Sequence, residues 1–234
     1  MKHIIYSSLL TIFYVNNISA QNSATTTLAT DFVSQYVWRG QDCGNISIQP
    51  TLGIEYGSFS ASAWGSIGFD ADDTKEFDLT LSYSVGKFNI GVTDYWFSNG
   101  VDEHGRYFKY KAHCTNHLFE ANVGFDFGHF SLQWFTNFAG NDGVNLDGKR
   151  AYSSYFEIVV PFTAVTLDWE AVAGAVPYAT DFYDVRRFAV TNLALKATKD
   201  IRVTDSWSIP IFGQIVANPR SEKAYFVVGV TLQP

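Results

Sequence analysis

The sequence predicts an all-β fold, a transmembrane antiparallel up-and-down β-barrel of about 12 strands. One observation is strict apolar and polar alternation from Glu76 to Val85, followed by a turn at Gly86-Lys87 and a second alternating run. Period two is typical of a strand with two unlike faces, and a two-residue connection containing Gly is typical of a hairpin. Another is that no run of 18 or more apolar residues follows residue 20, which excludes a spanning helix there and leaves a closed barrel as the only way across a bilayer. The alternative is a soluble β-sandwich or jelly roll, with the apolar faces in a core.

The first 20 residues resemble a secretory signal peptide. Lys2 and His3 form a short basic start, residues 4–15 are mostly apolar, and Ser19-Ala20 offers a cleavage site before Gln21. The alternative is a buried N-terminal strand or helix. The signal-peptide interpretation assigns residues 1–20 to the signal and residues 21–234 to a single barrel domain.

Twelve strand-like segments follow, and most are close to the 9–11 residues that a tilted strand needs to cross a membrane. They are predicted at 26–39, 49–57, 59–69, 75–86, 88–98, 116–128, 130–140, 151–162, 165–177, 188–199, 206–218 and 222–233.

The connections between these strands alternate in length. Tight turns are predicted at 57–58, 86–87, 128–129 and 163–164, with a fairly short connection at 200–205. Longer polar loops are predicted at 40–48, 70–74, 99–115, 141–150, 178–187 and 219–221. Bacterial barrels have short periplasmic turns and longer outer loops. The pattern therefore predicts a location in the cell outer membrane, with both chain ends on the periplasmic side.

Aromatic residues gather at both ends of the predicted strands, as two membrane interfaces require. The belt near the tight turns comprises Tyr56, Phe59, Tyr83, Phe88, Phe127, Phe130, Phe162 and Trp207. The belt near the long loops comprises Tyr36, Trp38, Phe69, Trp96, Phe138, Tyr152, Tyr178, Phe188 and Tyr225.

Several short motifs match a known family. Residues 34–40 read SQYVWRG and are followed by Gln41-Asp42 and Gln49-Pro50; residues 63–66 read AWGS, and residues 76–79 read EFDL ahead of Tyr83. Across residues 31–97 the chain resembles the TorF-type porin family of Gram-negative bacteria. The resemblance implies a secreted outer-membrane β-barrel with a porin-like role, and it does not supply the solute.

The polar faces of the strands predict an acidic lumen. When the apolar face of each strand is assigned to lipid, acids outnumber bases nine to two among the charged residues of the predicted lumen set. That set is Asp31, Gln35, Arg39, Glu55, Glu76, Asp78, Glu120, Asp126, Glu157, Asp168, Glu170 and Lys196. Carboxylate rings favour cations, and a low-dielectric wall focuses their field. The sequence therefore predicts a channel for passive diffusion of small hydrophilic solutes that prefers cations.

Two alternatives remain open for that lumen. Arg39 and Lys196 could instead pair with neighbouring acids and brace a plugged barrel. The protein would then be a closed structural or adhesive barrel whose outer loops bind a partner, above all loop 99–115 with its aromatic residues Tyr107, Phe108 and Tyr110. Whether that loop folds into the lumen or stands clear of it discriminates between the two functions. The barrel is expected to be a monomer or a homotrimer.

The pattern is irregular in two strands. Asp94 falls on the apolar face beside Trp96, where a rim position and a β-bulge would explain it. In the last strand, the set Phe226, Val228 and Val230 competes with Tyr225 and Val227 for the apolar face.

Catalytic patterns are weak, and the chain is predicted not to be an enzyme. His129-Phe130-Ser131, with Asn137 and Asn141 downstream, resembles the nucleophile pair of 12-stranded outer-membrane phospholipases, but His129 falls in a predicted periplasmic turn. The acid pairs 76/78 and 168/170 are explained better as residues on one strand face than as glycosidase acids.

Cofactors and charged polymers are not expected. A formal net charge of −7 argues against nucleic acid as a partner. Cys43 and Cys114 are candidates for a disulfide between two outer loops, since a secreted barrel folds in an oxidising compartment. A metal site at His113-Cys114-x-x-His117 with His104 is the less favoured alternative. The expected partners are outer-membrane lipid and small solutes or ions.

Overall fold

The structure is a computed structural model that describes residues 23–70, 73, 75–98, 105–111 and 114–233. The predicted signal peptide and residues 99–104 and 112–113 of the predicted third loop lie outside the described residues. All regular elements of the described chain are strands, and it contains no helix long and apolar enough to span a membrane.

The described residues form fourteen strands, of which twelve close into a barrel and two form a separate hairpin sheet. In chain order they are β1 (Thr25–Val33), β2 (Tyr36–Trp38), β3 (Gln41–Gly44), β4 (Ser47–Tyr56), β5 (Phe59–Gly68), β6 (Lys75–Val85), β7 (Phe88–Ser98), β8 (His117–Asp126), β9 (Ser131–Gly140), β10 (Ser154–Ala164), β11 (Leu167–Val176), β12 (Ala189–Arg202), β13 (Ser208–Asn218) and β14 (Lys223–Leu232).

The barrel is antiparallel and up-and-down, as predicted. Each wall strand pairs with its sequence neighbour in the wall, and β1 pairs with both β4 and β14 to close the ring. Eleven of the twelve predicted strands are confirmed, with boundaries that shift by at most three residues. One predicted turn is wrong: β10 continues through residues 163–164, and the chain reverses at Val165-Thr166, which both have positive φ.

The first predicted strand, 26–39, is wrong in its second half. β1 ends at Val33, and Ser34 closes it by donating its backbone N–H to the Val228 carbonyl while its hydroxyl accepts from the Val228 N–H, both at 2.9 Å. The chain then leaves the wall and forms the β2–β3 hairpin, so of the predicted outer loop 40–48 only residues 45–46 lie at the long-loop end, where Asn45 donates to Asp70 Oδ2 at 2.9 Å. Residues 36–39 therefore belong to this hairpin and not to the wall.

The predicted facing of the wall strands is confirmed. Outward side chains are apolar and exposed, with Leu81 at 67% and Phe226 at 66%, whereas inward polar residues such as Gln49 and Thr93 are buried. In β14, Phe226 and Val228 face outward and Val227 is 4% exposed on the inside, which resolves the ambiguity of the last strand. An apolar outer surface is the arrangement that lipid requires.

Most predicted belt residues lie exposed at the ends of the wall strands. Phe59 and Phe88 mark the short-turn end, and Phe69 and Phe188 mark the long-loop end. The prediction that Tyr36 and Trp38 belong to the outer belt is wrong, because both residues lie on β2 and not on the wall.

Candidate functional site: a hairpin inside the barrel

The hairpin β2–β3 lies inside the barrel and crosses its lumen. The Tyr36 ring packs 5.6 Å from Trp64 of β5, and the Trp38 ring packs 5.9 Å from Tyr95 of β7. On the opposite side, Asn218 of β13 donates to the carbonyl of Gly40 at 3.0 Å. Because these partners face inward from distant parts of the wall, the hairpin spans the lumen from one side to the other.

A two-residue turn forms the tip of the hairpin. Arg39 and Gly40 both have positive φ, 50° and 79°, the conformation of the turns that fit a twisted β-hairpin. A Cβ on Gly40 would lie 1.9 Å from the Thr191 carbonyl oxygen. Only glycine therefore lets the tip approach the backbone of β12 this closely.

The Arg39 side chain anchors the tip to the wall. Its Nη1 donates to Glu120 Oε2 at 2.6 Å and its Nη2 to Oε1 at 2.9 Å, a bidentate ion pair with both side chains buried. Nη1 also donates to the Tyr183 hydroxyl at 2.8 Å, and Tyr95 donates to Glu120 Oε1 at 2.9 Å. Both terminal nitrogens of Arg39 and both carboxylate oxygens of Glu120 thus have a partner.

Aromatic rings surround the same guanidinium. Its central carbon lies 4.3 Å from the Trp38 ring centre, 4.1 Å from Phe135 and 4.7 Å from Tyr155, distances at which ring faces stabilise a cation. Burial alone would lower the pKa of Arg39, but the Glu120 carboxylate outweighs burial and raises it. The tip therefore stays cationic and fixed.

Apolar contacts with the wall also stabilise the hairpin. Val37 packs between two clusters of inward side chains from six wall strands. Their buried members are Val33, Val159, Val172, Ala194, Phe212, Val216 and Val227. This part of the lumen is therefore filled by protein.

A cavity of about 360 Å³ lies beside the hairpin. Its lining extends to Glu55 and Gln233 near the short-turn end of the barrel. The cavity therefore occupies the part of the lumen that the hairpin leaves free. Seven predicted lumen residues line it: Asp31, Gln35, Arg39, Glu55, Asp78, Glu157 and Lys196. Threonine, serine, asparagine and glutamine side chains supply much of the remaining surface.

The other five predicted lumen residues also face inward, in different settings. Glu76, Glu120 and Glu170 are buried on the wall, and Glu170 lies directly opposite Lys196 in the register of β11 and β12. Asp126 and Asp168 lie near the short turns, where Asp126 accepts from the Gly128 N–H at 2.6 Å and Asp168 accepts from the Thr163 hydroxyl at 3.1 Å. These last two stabilise turns and do not line the cavity.

Within the described chain, one buried acid atom at the cavity has no hydrogen-bond partner. Asp78 is 4% exposed, and its Oδ1 makes no bond to the protein. Lys196 places its Nζ 4.1 Å from the centre of the Phe212 ring. Asp78 thus differs from Glu120, whose two carboxylate oxygens both bind Arg39.

The described part of loop 99–115 lies outside the lumen. The Tyr107 ring packs 5.6 Å from Phe77 and 5.5 Å from Trp96, both on the outward face of the wall. His117 binds the loop through Nε2, which donates to the Tyr107 carbonyl at 2.5 Å, and binds Asp94 Oδ1 through Nδ1 at 2.7 Å. The β2–β3 hairpin, and not the described part of this loop, narrows the lumen.

Asp94 does lie on the outward face, but the expected bulge beside it is wrong. Its register with Leu79 and Phe119 is regular, and the irregularity falls one strand further on, between β8 and β9 at Phe119-Glu120. The partner that stabilises Asp94 is His117, which sequence reasoning missed.

The remaining candidate chemistry is not assembled. Cys43 and Cys114 are both free thiols, and Cys43 lies on the internal hairpin, so the bridge between two outer loops does not form in the structure. His104 and His113 of the metal alternative lie outside the described residues, and both ring nitrogens of His117 are already hydrogen-bonded. His129 is exposed in its tight turn, away from the lumen that holds Asn137.

Four aromatic residues around Arg39 were not predicted as site residues. Tyr95, Phe135 and Tyr155 lie on the otherwise polar inward face of their strands, and Tyr183 lies in the loop before β12. Large rings on a predicted polar face were a readable sign that the lumen is partly filled.

Comparison with known proteins adds no family. No protein-family model and no curated protein matches this sequence. The resemblance to TorF-type porins therefore stays a prediction.

Proposed function

We propose that this protein is an outer-membrane, porin-like channel for passive diffusion of small hydrophilic solutes, in which the β2–β3 hairpin forms the constriction. The observation that carries the proposal is a closed 12-stranded barrel with an apolar exterior and a polar cavity inside its wall. Twelve strands lie between the filled 8-stranded barrels and the open 16-stranded porins. A narrow path beside the hairpin fits that size.

The charges beside the hairpin support a preference for cations. The charge of Arg39 is neutralised by Glu120, which leaves Lys196 as the other base of the predicted lumen set. Asp31, Glu55, Asp78 and Glu157 line the same cavity. A cation passing this wall replaces part of its hydration shell with carboxylate oxygens, whereas an anion is repelled.

The first test is ion selectivity of the refolded protein in a planar bilayer under a salt gradient. The expected result is a small, stable conductance whose reversal potential has the sign of cation preference. Glu76→Gln with Asp78→Asn should move the reversal potential towards zero, because two inward carboxylates are removed. Glu222→Gln is the matched control, since it removes a carboxylate from the exposed outer turn between β13 and β14. Anion preference would contradict the proposed role of the acidic wall.

A closed structural or adhesive barrel is the second candidate. The observation that favours it is the hairpin itself, whose tip is held by a bidentate ion pair, hydrogen bonds and three rings. A folded and inserted barrel that carries no current would contradict the channel and support this candidate.

A further inference from the structure

The segment 105–111, which reads GRYFKYK, forms a short loop against the outward face of the wall and is called the aromatic-basic loop below. It lies over one cross-strand row, in which Phe77, Trp96 and His117 are register partners on β6, β7 and β8. These residues stand at or near the long-loop ends of their strands. The loop therefore lies at the outer rim of the barrel, on the side that faces away from the lumen.

The loop is fixed to this row by polar and aromatic contacts together. His117 donates to the Tyr107 carbonyl, and the Tyr110 ring stacks on the imidazole with centres 4.1 Å apart. Tyr107 makes edge or tilted contacts with Phe77 and Trp96. The outward-facing polar pair of Asp94 and His117 is thereby covered.

The free side of the loop combines cations with an exposed ring. Phe108 is 87% exposed and Tyr110 is 49% exposed, while Arg106 and Lys111 are also exposed. Three bases and no acid fall within these seven residues, in a chain whose formal net charge is −7. An apolar ring flanked by cations, beside an apolar wall, is complementary to an anionic amphiphile.

We propose that the aromatic-basic loop binds the phosphate headgroup of an anionic lipid in the outer leaflet. Arg106 and Lys111 contact the phosphate oxygens, and Phe108 inserts beside the first methylenes of the acyl chains. The inference rests on the proposed membrane location, because only there does the outer rim meet lipid headgroups. It is independent of whether the barrel conducts.

The proposed occupant follows from position and charge. Aromatic side chains are stabilised at the boundary between headgroups and acyl chains, and each Lys or Arg near an anionic surface adds to the attraction. Row Phe77–Trp96–His117 places the loop at the end of the apolar wall, where that boundary lies. A soluble anion would use the two bases and leave Phe108 without a role.

The test is lipid retention by the refolded protein, measured by native mass spectrometry after release from a zwitterionic detergent. The probes are bis-phosphorylated lipid A, the same lipid with both phosphates removed, and inorganic phosphate as a competitor. Wild type should retain phosphorylated lipid A in preference to the dephosphorylated form. Arg106→Gln with Lys111→Gln should weaken retention by roughly tenfold or more, and Phe108→Ala by a few fold.

The matched control is Lys87→Gln with Phe88→Ala, which removes a base and an exposed ring from the tight turn at the opposite rim. This control should retain lipid A as wild type does. Equal retention of both lipids, equal retention by the Arg106/Lys111 variant, or full displacement by millimolar phosphate would each overturn the proposal. Conductance of the same samples separates the two proposals, because loss of lipid binding should leave ion selectivity unchanged.

Discussion

Arg39 is the residue at which the hairpin, the wall and a long loop meet. Its guanidinium binds Glu120 of β8 and Tyr183 of the loop before β12, and it lies against rings from β2, β9 and β10. Removing one partner of a buried ion pair leaves the other charge without compensation, which costs more than the pair itself contributes. The energetic role of Arg39 is therefore read most clearly from single and paired substitutions.

We expect Arg39→Ala to lower the free energy of unfolding by about 3 kcal/mol, because Glu120 then stays buried with the Tyr95 hydroxyl as its remaining bond. Arg39→Met combined with Glu120→Leu should recover much of that loss, since both charges are gone. The measurement is the urea midpoint of the refolded barrel in detergent micelles.

Arg220→Ala is the control for the Arg39 substitution. Arg220 Nη2 lies 3.7 Å from Asp184 Oδ2 in an exposed ion pair. Such a pair should contribute at most about 1 kcal/mol to the free energy of unfolding. Equal midpoints for Arg39→Ala and Arg220→Ala would show that the internal ion pair does not hold the hairpin.

At the scale of elements, the wall strands were predictable and the hairpin was not. Period two and the turn residues locate strands such as β6 and β7, because a sheet with one lipid face and one inner face has to alternate. Residues 34–39 continue with the strand-forming side chains Tyr36, Val37 and Trp38, so residue type alone extends the first strand to Arg39. The distinguishing signal was Arg39-Gly40 between two short extended runs, since Gly at a two-residue turn favours a hairpin.

Some features of the candidate site could be predicted from the sequence and others could not. Inward facing of acids such as Asp78 and Glu157 follows from the alternation within each strand. The alternation does not show which acids form ion pairs with a base. Arg39 and Glu120 are 81 residues apart and come together only when the barrel closes around the hairpin. His117 and the aromatic-basic loop cover Asp94. This arrangement depends on the conformation of the loop, which the periodicity of the sequence does not predict.

We expect the barrel to fold without the hairpin and to conduct more. In the test, residues 36–44 are replaced by a short Gly-Ser linker between Gln35 and Asn45. All twelve wall strands pair with one another and none depends on β2 or β3 for its ladder, so the wall should persist. The conductance should rise severalfold because the lumen is no longer crossed. Unchanged conductance in a folded variant would show that the constriction lies elsewhere.

For the whole molecule, the closing seam between β1 and β14 is the shortest ladder in the wall. Its register comprises four pairs, from Thr30 with Leu232 to Val33 with Gly229, because β1 ends at Val33 on one side and β14 ends at Leu232 on the other. The next shortest ladder, between β9 and β10, comprises six pairs. A closed barrel opens only when one ladder separates along its whole length, so unfolding should begin at this seam.

A disulfide across the seam should therefore stabilise the barrel more than one placed elsewhere. Phe32 and Val230 are opposed and outward-facing at the seam, and Ile90 and Val123 are opposed and outward-facing between β7 and β8. With Cys43→Ala and Cys114→Ala as background, Phe32→Cys with Val230→Cys should raise the midpoint of heat-modifiable gel migration. Ile90→Cys with Val123→Cys should raise it less, because that ladder does not open first.

Loop entropy acts in the same direction. The seam bridge closes roughly 200 residues and the control bridge roughly 30, which corresponds to about 5 against about 4 kcal/mol. Reduction should return both proteins to the midpoint of the cysteine-free barrel. A larger gain from the β7–β8 bridge would contradict the seam as the starting point, and would place the first step of unfolding in the part of the wall that carries the aromatic-basic loop.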